Sequence, residues 1–388
     1  MRIFTAVRHS IDPKYYYGGL WSSNFYPALA KLGHEIVESR VDLKSAWDCP
    51  LGGPDQLRIR ASISERIIEE VRRAHQERPL DLFLSYFYNA HFDPASFDEI
   101  HRLGIPTVNF YCNSIFQFDL VADIAAKVRF SWHAEKHARE SYLRVGANPI
   151  WVQMGADPEL YRPIEIGTRK PEACFVGQRY ADRDRWISAL IRASVPIAVF
   201  GSGWGTDPSL QYTPVQSASR FGSYLKVAVE NLRQYGLVGG TRRIWARATA
   251  CREARRLAHL IKPHARGSVS YIAPTFAQYA VVLNFSNVWA DGLPGSALIP
   301  HVRLRDFEGP MCRACYLTGH TDEIGEFYEV GREIDTYRTQ EELVDKTRYY
   351  LTHPEAAEKL REAGYQRALR DHTWTRRFQE LFQKIRAT

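Results

Sequence analysis

Short apolar runs alternate along the first third of the chain with stretches whose apolar residues recur every three or four positions. Residues 2–7, 35–41, 81–88, 107–111, 128–132 and 149–153 read as strands. Residues 24–33, 63–77, 97–103 and 135–145 read as helices. Helix 24–33 has Phe25, Leu29 and Leu32 on one face and Gly33 as its stop, and Pro79 ends helix 63–77. Residues 81–88 form a continuous apolar run, as in a parallel sheet covered on both faces. Strands alternating with helices imply right-handed βαβ units and a doubly wound sheet.

The pattern pauses at Met154-Gly-Ala-Asp157-Pro-Glu-Leu-Tyr161-Arg-Pro163, a linker by its turn formers. It then restarts: strand 172–176 and Gly177, helix 183–193, strand 196–200 with Gly201-Ser-Gly203, helix 275–280 and strand 281–285. Two consecutive Rossmann-like domains facing one another are expected, with ligand outside the carboxyl ends of their strands.

The 388 residues, 45% hydrophobic and 24% charged, suit two domains and argue against disorder. No apolar run is long enough to span a membrane, and charge interrupts the N-terminal segment too early for a signal peptide. Six cysteines in so long a chain form no disulfide framework, so a reducing, cytoplasmic setting is expected.

The net charge of +7 is concentrated: residues 210–266 hold eleven Lys/Arg against Glu230 and Glu253, a surplus of nine, leaving −2 elsewhere. Within that segment Ile244, Ala248, Cys251, Ala254, Ala258 and Ile261 keep helical spacing, with arginines largely off the stripe. Such a helix can lie at the inner face of an anionic membrane through residues 242–266, contact a lipid-phosphate acceptor, or be a solvated face over an ordinary core. Nucleic acid is not favoured, because Tyr212, Phe221, Tyr224, Tyr235 and Trp245 follow no recognition motif.

Two segments carry chemistry. Arg303-Leu-Arg305-Asp-Phe-Glu308-Gly309 puts a carboxylate just before a short helix that leads into an apolar strand. A carboxylate there takes both hydroxyls of a ribose, and the free N–H groups of a helix start take a diphosphate. The plain alternative is an N-terminal carboxylate on the helix dipole. Phe175-Val-Gly177-Gln-Arg179-Tyr-Ala-Asp-Arg183 ends a strand and opens a helix. Fixed cations and N–H groups there stabilise a departing diphosphate more in the transition state than in the ground state. A solvated helix start is the alternative, since Arg183 and Arg185 flank Asp184. Backbone at Gly177 and Gly309 joins the candidate donor set, and Gly18-Gly19 after the first strand is either a close-approach loop or an ordinary turn. His91 and Asp12 are candidate general bases; His9 and Asn113 also follow strands. Cys312 and Cys315 have no second pair at zinc spacing and read as small packing residues.

These motifs resemble a GT-B glycosyltransferase, close to the CgeB-type (spore-maturation) enzymes and more distantly to family 4. The resemblance rests on Arg305-Asp-Phe-Glu308, Gly331-Arg-Glu333-Ile-Asp-Thr-Tyr337, Glu341-Glu-Leu343, Tyr349-Tyr-Leu-Thr-His-Pro354 and Asp371-His-Thr-Trp374-Thr-Arg-Arg-Phe378. It implies an α/β, GT-B fold: an acceptor-binding domain at 1–155, a donor-binding domain at 156–371 with a basic helical insertion at about 205–266, and a C-terminal helix at about 372–388 crossing back to the first domain. It also implies a metal-independent transferase with no cofactor beyond the nucleotide-diphosphate sugar. Glu308 would hold the ribose, Arg305 support it, Arg183 and Arg179 meet the phosphates, Tyr271 stack on the base, and Gly19 let the backbone approach the donor. Family-4 enzymes carry a second glutamate eight residues before the ribose-binding one; this chain has Pro300 there, with His301 next. Donor-sugar contacts through that residue and retaining stereochemistry therefore do not carry over. An epimerase or phosphorylase on the same fold, or a non-catalytic scaffold in glycan assembly, are the other readings.

Overall fold

A computed structural model describes residues 1–9, 19–47, 52–205, 220–290 and 294–387, with 220–237 as backbone alone. Its contacts divide the chain into two units: Met1–Asp157 with His372–Thr388, and Pro158–Asp371.

The first unit holds strands β1 (Arg2–Ala6), β2 (Glu35–Glu38), β3 (Leu82–Ser85), β4 (Thr107–Tyr111), β5 (Phe130–His133) and β6 (Pro149–Trp151). They form one parallel sheet in the order β2-β1-β3-β4-β5-β6. Its helices are α1 (Leu20–Lys31), α2 (Pro54–Glu77), α3 (Phe97–Arg102), α4 (Ser114–Gln117), α5 (Ala122–Lys127) and α6 (Arg139–Arg144). Helix α2 starts nine residues before the expected position. Pro54 occupies its first turn, where a missing N–H is harmless, and the mostly polar residues that follow hide the helical period. The stretch expected as one helix at 135–145 divides into a 3-10 turn at Lys136–Ala138 and α6.

The second unit holds β7 (Lys170–Val176), β8 (Ile197–Phe200), β9 (Tyr279–Asn284), β10 (Asn287–Trp289), β11 (Leu298–Pro300), β12 (Tyr316–Gly319) and β13 (Asp335–Tyr337). Five of these make a parallel sheet in the order β13-β12-β9-β7-β8, and β10 and β11 form an antiparallel pair. Its helices are α7 (Arg183–Arg192), α8 (Arg220–Ile261), α9 (Ile272–Gln278), α10 (Arg305–Met311), α11 (Gln340–Thr352) and α12 (Pro354–Asp371). The last helix, α13 (Trp374–Ala387), belongs to the first unit. None of the described helices is long and apolar enough to cross a membrane.

Helix α13 completes the first core. Trp374 is fully buried, lies 4.9 Å from Phe25 and donates its indole N–H to Asn24 Oδ1 at 2.9 Å. Ala156 N–H donates to His372 O at 2.9 Å, and a Cβ at Gly155 would come within 2.9 Å of the Thr373 backbone. Only glycine permits that approach.

Helix α8 is 42 residues long. Its buried side is Arg247, Ala254, Leu257 and Ile261, whereas Ala248 is exposed. The expected apolar stripe is thus displaced by about one position, because burial follows the face that meets α7, where Arg185 pairs with Glu253 at 2.6 Å.

The first unit also holds His9, half-buried, and His91 and His133, buried, as neutral rings. Burial pulls His9 and His133 down to about 4 and His91 well below its ordinary value. His133 stacks on Tyr142 at 4.9 Å, and its Nδ1 lies 3.0 Å from Glu135 O. Above pH about 6.5 these groups are neutral folded or unfolded. As pH falls from there towards 4 the unfolded chain takes up protons that the folded one refuses, so stability falls. The first unit should lose stability across that window, by up to about 3 kcal/mol each for His9 and His133, so its melting temperature should drop, and His133→Gln should flatten the drop. A pH-independent midpoint between 7 and 4 would contradict this.

Candidate active site

The carboxyl ends of β7, β8 and β9 carry the candidate site of the second unit. Strand β7 ends at Val176, and Gly177 follows because space forbids a side chain: an added Cβ would come within 2.6 Å of the Phe175 ring and 3.2 Å of Arg183 Nη1. Gly201, at the end of β8, has φ +126°, and a Cβ there would overlap the carbonyl of Gly177. That same carbonyl accepts the Trp204 indole N–H at 2.8 Å. These contacts fix the loop that delivers Arg183 to the first position of α7.

Arg183 is buried. Its Nη1 donates to Gln178 O at 2.6 Å, its guanidinium lies 5.3 Å from the centre of the Phe175 ring, and its Nε has no hydrogen-bond partner among the described residues. Burial first, then the neighbouring Arg303, pulls this guanidinium down to about 9; Asp182 opposes them, and Arg305 adds to the pull. Asp182 itself receives the Trp186 indole N–H at 2.8 Å and the Asn287 amide at 2.7 Å. His301 is buried beside the same cations and is held well below its ordinary value by burial, then by Arg303 and Arg183. Arg183, Arg303 and His301 therefore form a cluster rich in N–H donors beside Asp182. An anion is the natural complement. Next to it a pocket of about 230 Å³ is lined by Trp186, Ser286, Asn287, Pro300, Tyr337 and Arg338, among others.

Glu308 lies inside α10 rather than just before it, as its fourth residue. Its buried carboxylate accepts from Arg305 Nη1 at 2.6 Å. The helix starts early because Asp306 organises the turn: Oδ2 accepts Arg303 N–H at 2.7 Å, and Oδ1 accepts from Asn284, Tyr316 and Thr318 at 3.0, 3.0 and 2.8 Å. The backbone N–H groups of Asp306, Phe307 and Glu308 are used within the turn. Guanidinium groups, rather than the free N–H groups expected from the sequence, are thus the donors on offer here.

Other candidates are placed differently. Arg179 is buried in a two-pronged ion pair with Asp184 (2.6 Å), and its Nη2 also donates to Ala254 O at 2.6 Å. It ties the start of α7 to α8, and its Nη1 has no hydrogen-bond partner among the described residues. Gly309 faces the ring of Tyr316, which a Cβ would strike, so helix packing explains the glycine. Tyr271 precedes α9 and is largely exposed. Gly19 precedes α1 and accepts from Ser22 Oγ at 2.9 Å; a side chain would fit there. His91 is fully buried, accepts Tyr88 N–H at 3.1 Å and packs 4.7 Å from His9. A base must reach its proton within hydrogen-bond distance, and a ring without exposed surface does not reach an incoming acceptor. Asp12 and Gly18 lie outside the described residues. Cys312 and Cys315 are free buried thiols, Cys315 pushed up to about 12 by burial.

Sequence reasoning missed Arg303, His301 and Asp306. The available signal was the Arg-x-Arg-Asp spacing ahead of Glu308, two cations and a capping acid within four residues.

Residues 226–383 match a family described as glycosyl transferase-like. No curated protein matches the chain. Among solved structures, a glycosyltransferase from Rickettsia africae ESF-5 is similar at 10% identity and TM-score 0.57, over 98% of this chain and 97% of that one. Anabaena Alr3699/HepE in complex with UDP-glucose is similar at 10% identity and TM-score 0.58, over 100% and 99%. Sucrose-phosphate synthase from Thermosynechococcus elongatus is similar at 13% identity and TM-score 0.55, over 100% and 99%. The structural likenesses carry the fold, which is GT-B. The family match covers only part of the chain, residues 226–383.

Proposed function

We propose that the chain transfers a sugar from a nucleoside-diphosphate sugar to an acceptor, with UDP as the first nucleotide to test. The observation that carries this reading is the buried Arg183 next to Arg303, beside the Arg305–Glu308 pair. Glu308 takes the two ribose hydroxyls while Arg305 holds its carboxylate in place. Arg183 and Arg303 take the diphosphate. As the bond from the anomeric carbon to the diphosphate oxygen breaks, negative charge grows on that oxygen, and fixed guanidinium groups stabilise it without rearranging. Those groups supply the charge that a metal supplies in other transferases. Anabaena Alr3699/HepE in complex with UDP-glucose supports the choice of UDP. The pattern from Arg305 to Phe378 favours the CgeB type within the wider class. The acceptor belongs with the first unit in this reading.

The test is a thermal-shift screen against UDP, GDP, ADP, CMP and dTDP. Ligand at a hundred times its Kd stabilises the folded state by about 2.7 kcal/mol, so the preferred diphosphate should raise the midpoint clearly. Glu308→Ala should abolish that rise. No shift with any nucleotide would overturn the donor assignment. A shift without sugar transfer to any acceptor would favour an epimerase or phosphorylase.

A further inference from the structure

The side of α8 opposite its buried residues carries an unusual set. One helical face presents Val238, Arg242, Trp245, Arg252 and Arg256, all exposed, with Arg255 at its margin. Val238 is 84% exposed and Trp245 72%, the two most exposed large hydrophobic side chains among the described residues. They stand seven positions apart, two helical turns, and so point the same way. Glu253 is the only carboxylate between 238 and 261, and it is committed to Arg185. Arg242, Arg252, Arg255 and Arg256 have no ion pair among the described residues.

Exposing an indole and a valine to water without a partner is costly, and clustering four unpaired guanidinium groups around them adds repulsion. A planar, anionic, amphipathic surface removes both costs. Arginines pair with lipid phosphates, while tryptophan sits at the boundary between headgroups and acyl chains. We propose that α8 docks this protein on the surface of an anionic lipid bilayer, lying on it rather than crossing it. A nucleic acid fits less well: among the described side chains this face offers one aromatic ring, not a row of rings for successive bases. This inference does not depend on which nucleotide the donor site takes.

The test is co-sedimentation of the full chain with vesicles of phosphatidylcholine alone or mixed equally with phosphatidylglycerol. The protein should pellet with the anionic vesicles only, and release as salt shortens the screening length. Arg252→Glu/Arg255→Glu/Arg256→Glu should weaken partitioning by at least about a hundredfold, at about one kilocalorie of surface attraction per basic residue removed. Trp245→Ala, which leaves the charge unchanged, should weaken it severalfold. Both variants should melt where the parent does, since these side chains are exposed. The proposal is overturned if the parent stays in the supernatant, if the triple variant pellets like the parent, or if the parent prefers a single-stranded RNA to anionic vesicles.

Discussion

Replacing Arg183 by Met should slow sugar transfer by about a hundred- to a thousandfold and, in the same protein, raise the melting temperature of the free enzyme. The two effects share one cause. This buried guanidinium lies near Arg303 and Arg305, with Asp182 opposing them, and its pKa is lowered to about 9. A base whose folded pKa lies below its unfolded one costs stability while it stays charged, and the cost is relieved only as pH rises past about 9. At neutral pH it is therefore fully present. Replacing such a charge by an apolar side chain of similar length commonly gains about 1–4 kcal/mol, less here for the lost bond to Gln178 O. A gain of 1 kcal/mol corresponds to about 2–4 °C in a unit of this size. Bound diphosphate, in the proposed reading, reverses the sign by bringing an anion to this guanidinium. The check is paired: melting midpoints with and without UDP, and single-turnover transfer. A variant both less stable and fully active would show that Arg183 is a structural residue.

Gly201→Ala should be the most destabilising small substitution in the second unit. A φ of +126° is close to glycine-only territory, and the new methyl would overlap the Gly177 carbonyl while standing 2.6 Å from its carbon. Backbone strain of about 1–3 kcal/mol and overpacking of about 1–3 kcal/mol add, because neither side of the contact is a flexible side chain. The loss, on the order of 3–5 kcal/mol, should lower the midpoint by about 6–20 °C. The Gly177 peptide also anchors the loop to Arg183, so transfer should suffer even in the fraction that remains folded. Gly205→Ala is the control, since nothing lies within 4 Å of its added methyl. Equal midpoints for the two variants would refute the steric argument.

The contrast between these residues shows what a sequence discloses. β4 and β7 were legible because runs such as Thr107–Tyr111 are apolar enough to be buried on both faces. The start of α2 was not, because a helix lying on solvent shows no apolar period. Glu308 was reachable through its motif. Arg303 and His301 were not, because a buried cation and a surface one share the same letter until the fold shows what surrounds them. Arg179 was placed at a phosphate; the fold pairs it with Asp184, five positions on, and with Ala254 O of α8, a contact that the sequence does not display. Ala248 and Arg247 exchanged roles because one step along a helix turns the side chain by about 100°.

The return of α13 to the first core sets a timetable for biosynthesis. The first unit cannot close around Trp374 until the whole second unit, Pro158–Asp371, has been translated. At about 5–20 residues per second that interval is roughly 10–40 s. Throughout it, the nascent first unit presents Phe25, Phe110 and Trp132 on the side that Trp374 will cover. The second unit, continuous in sequence, suffers no such delay and can fold first, so the N-terminal half of the polypeptide is the last to be finished and the natural client of a chaperone on the ribosome.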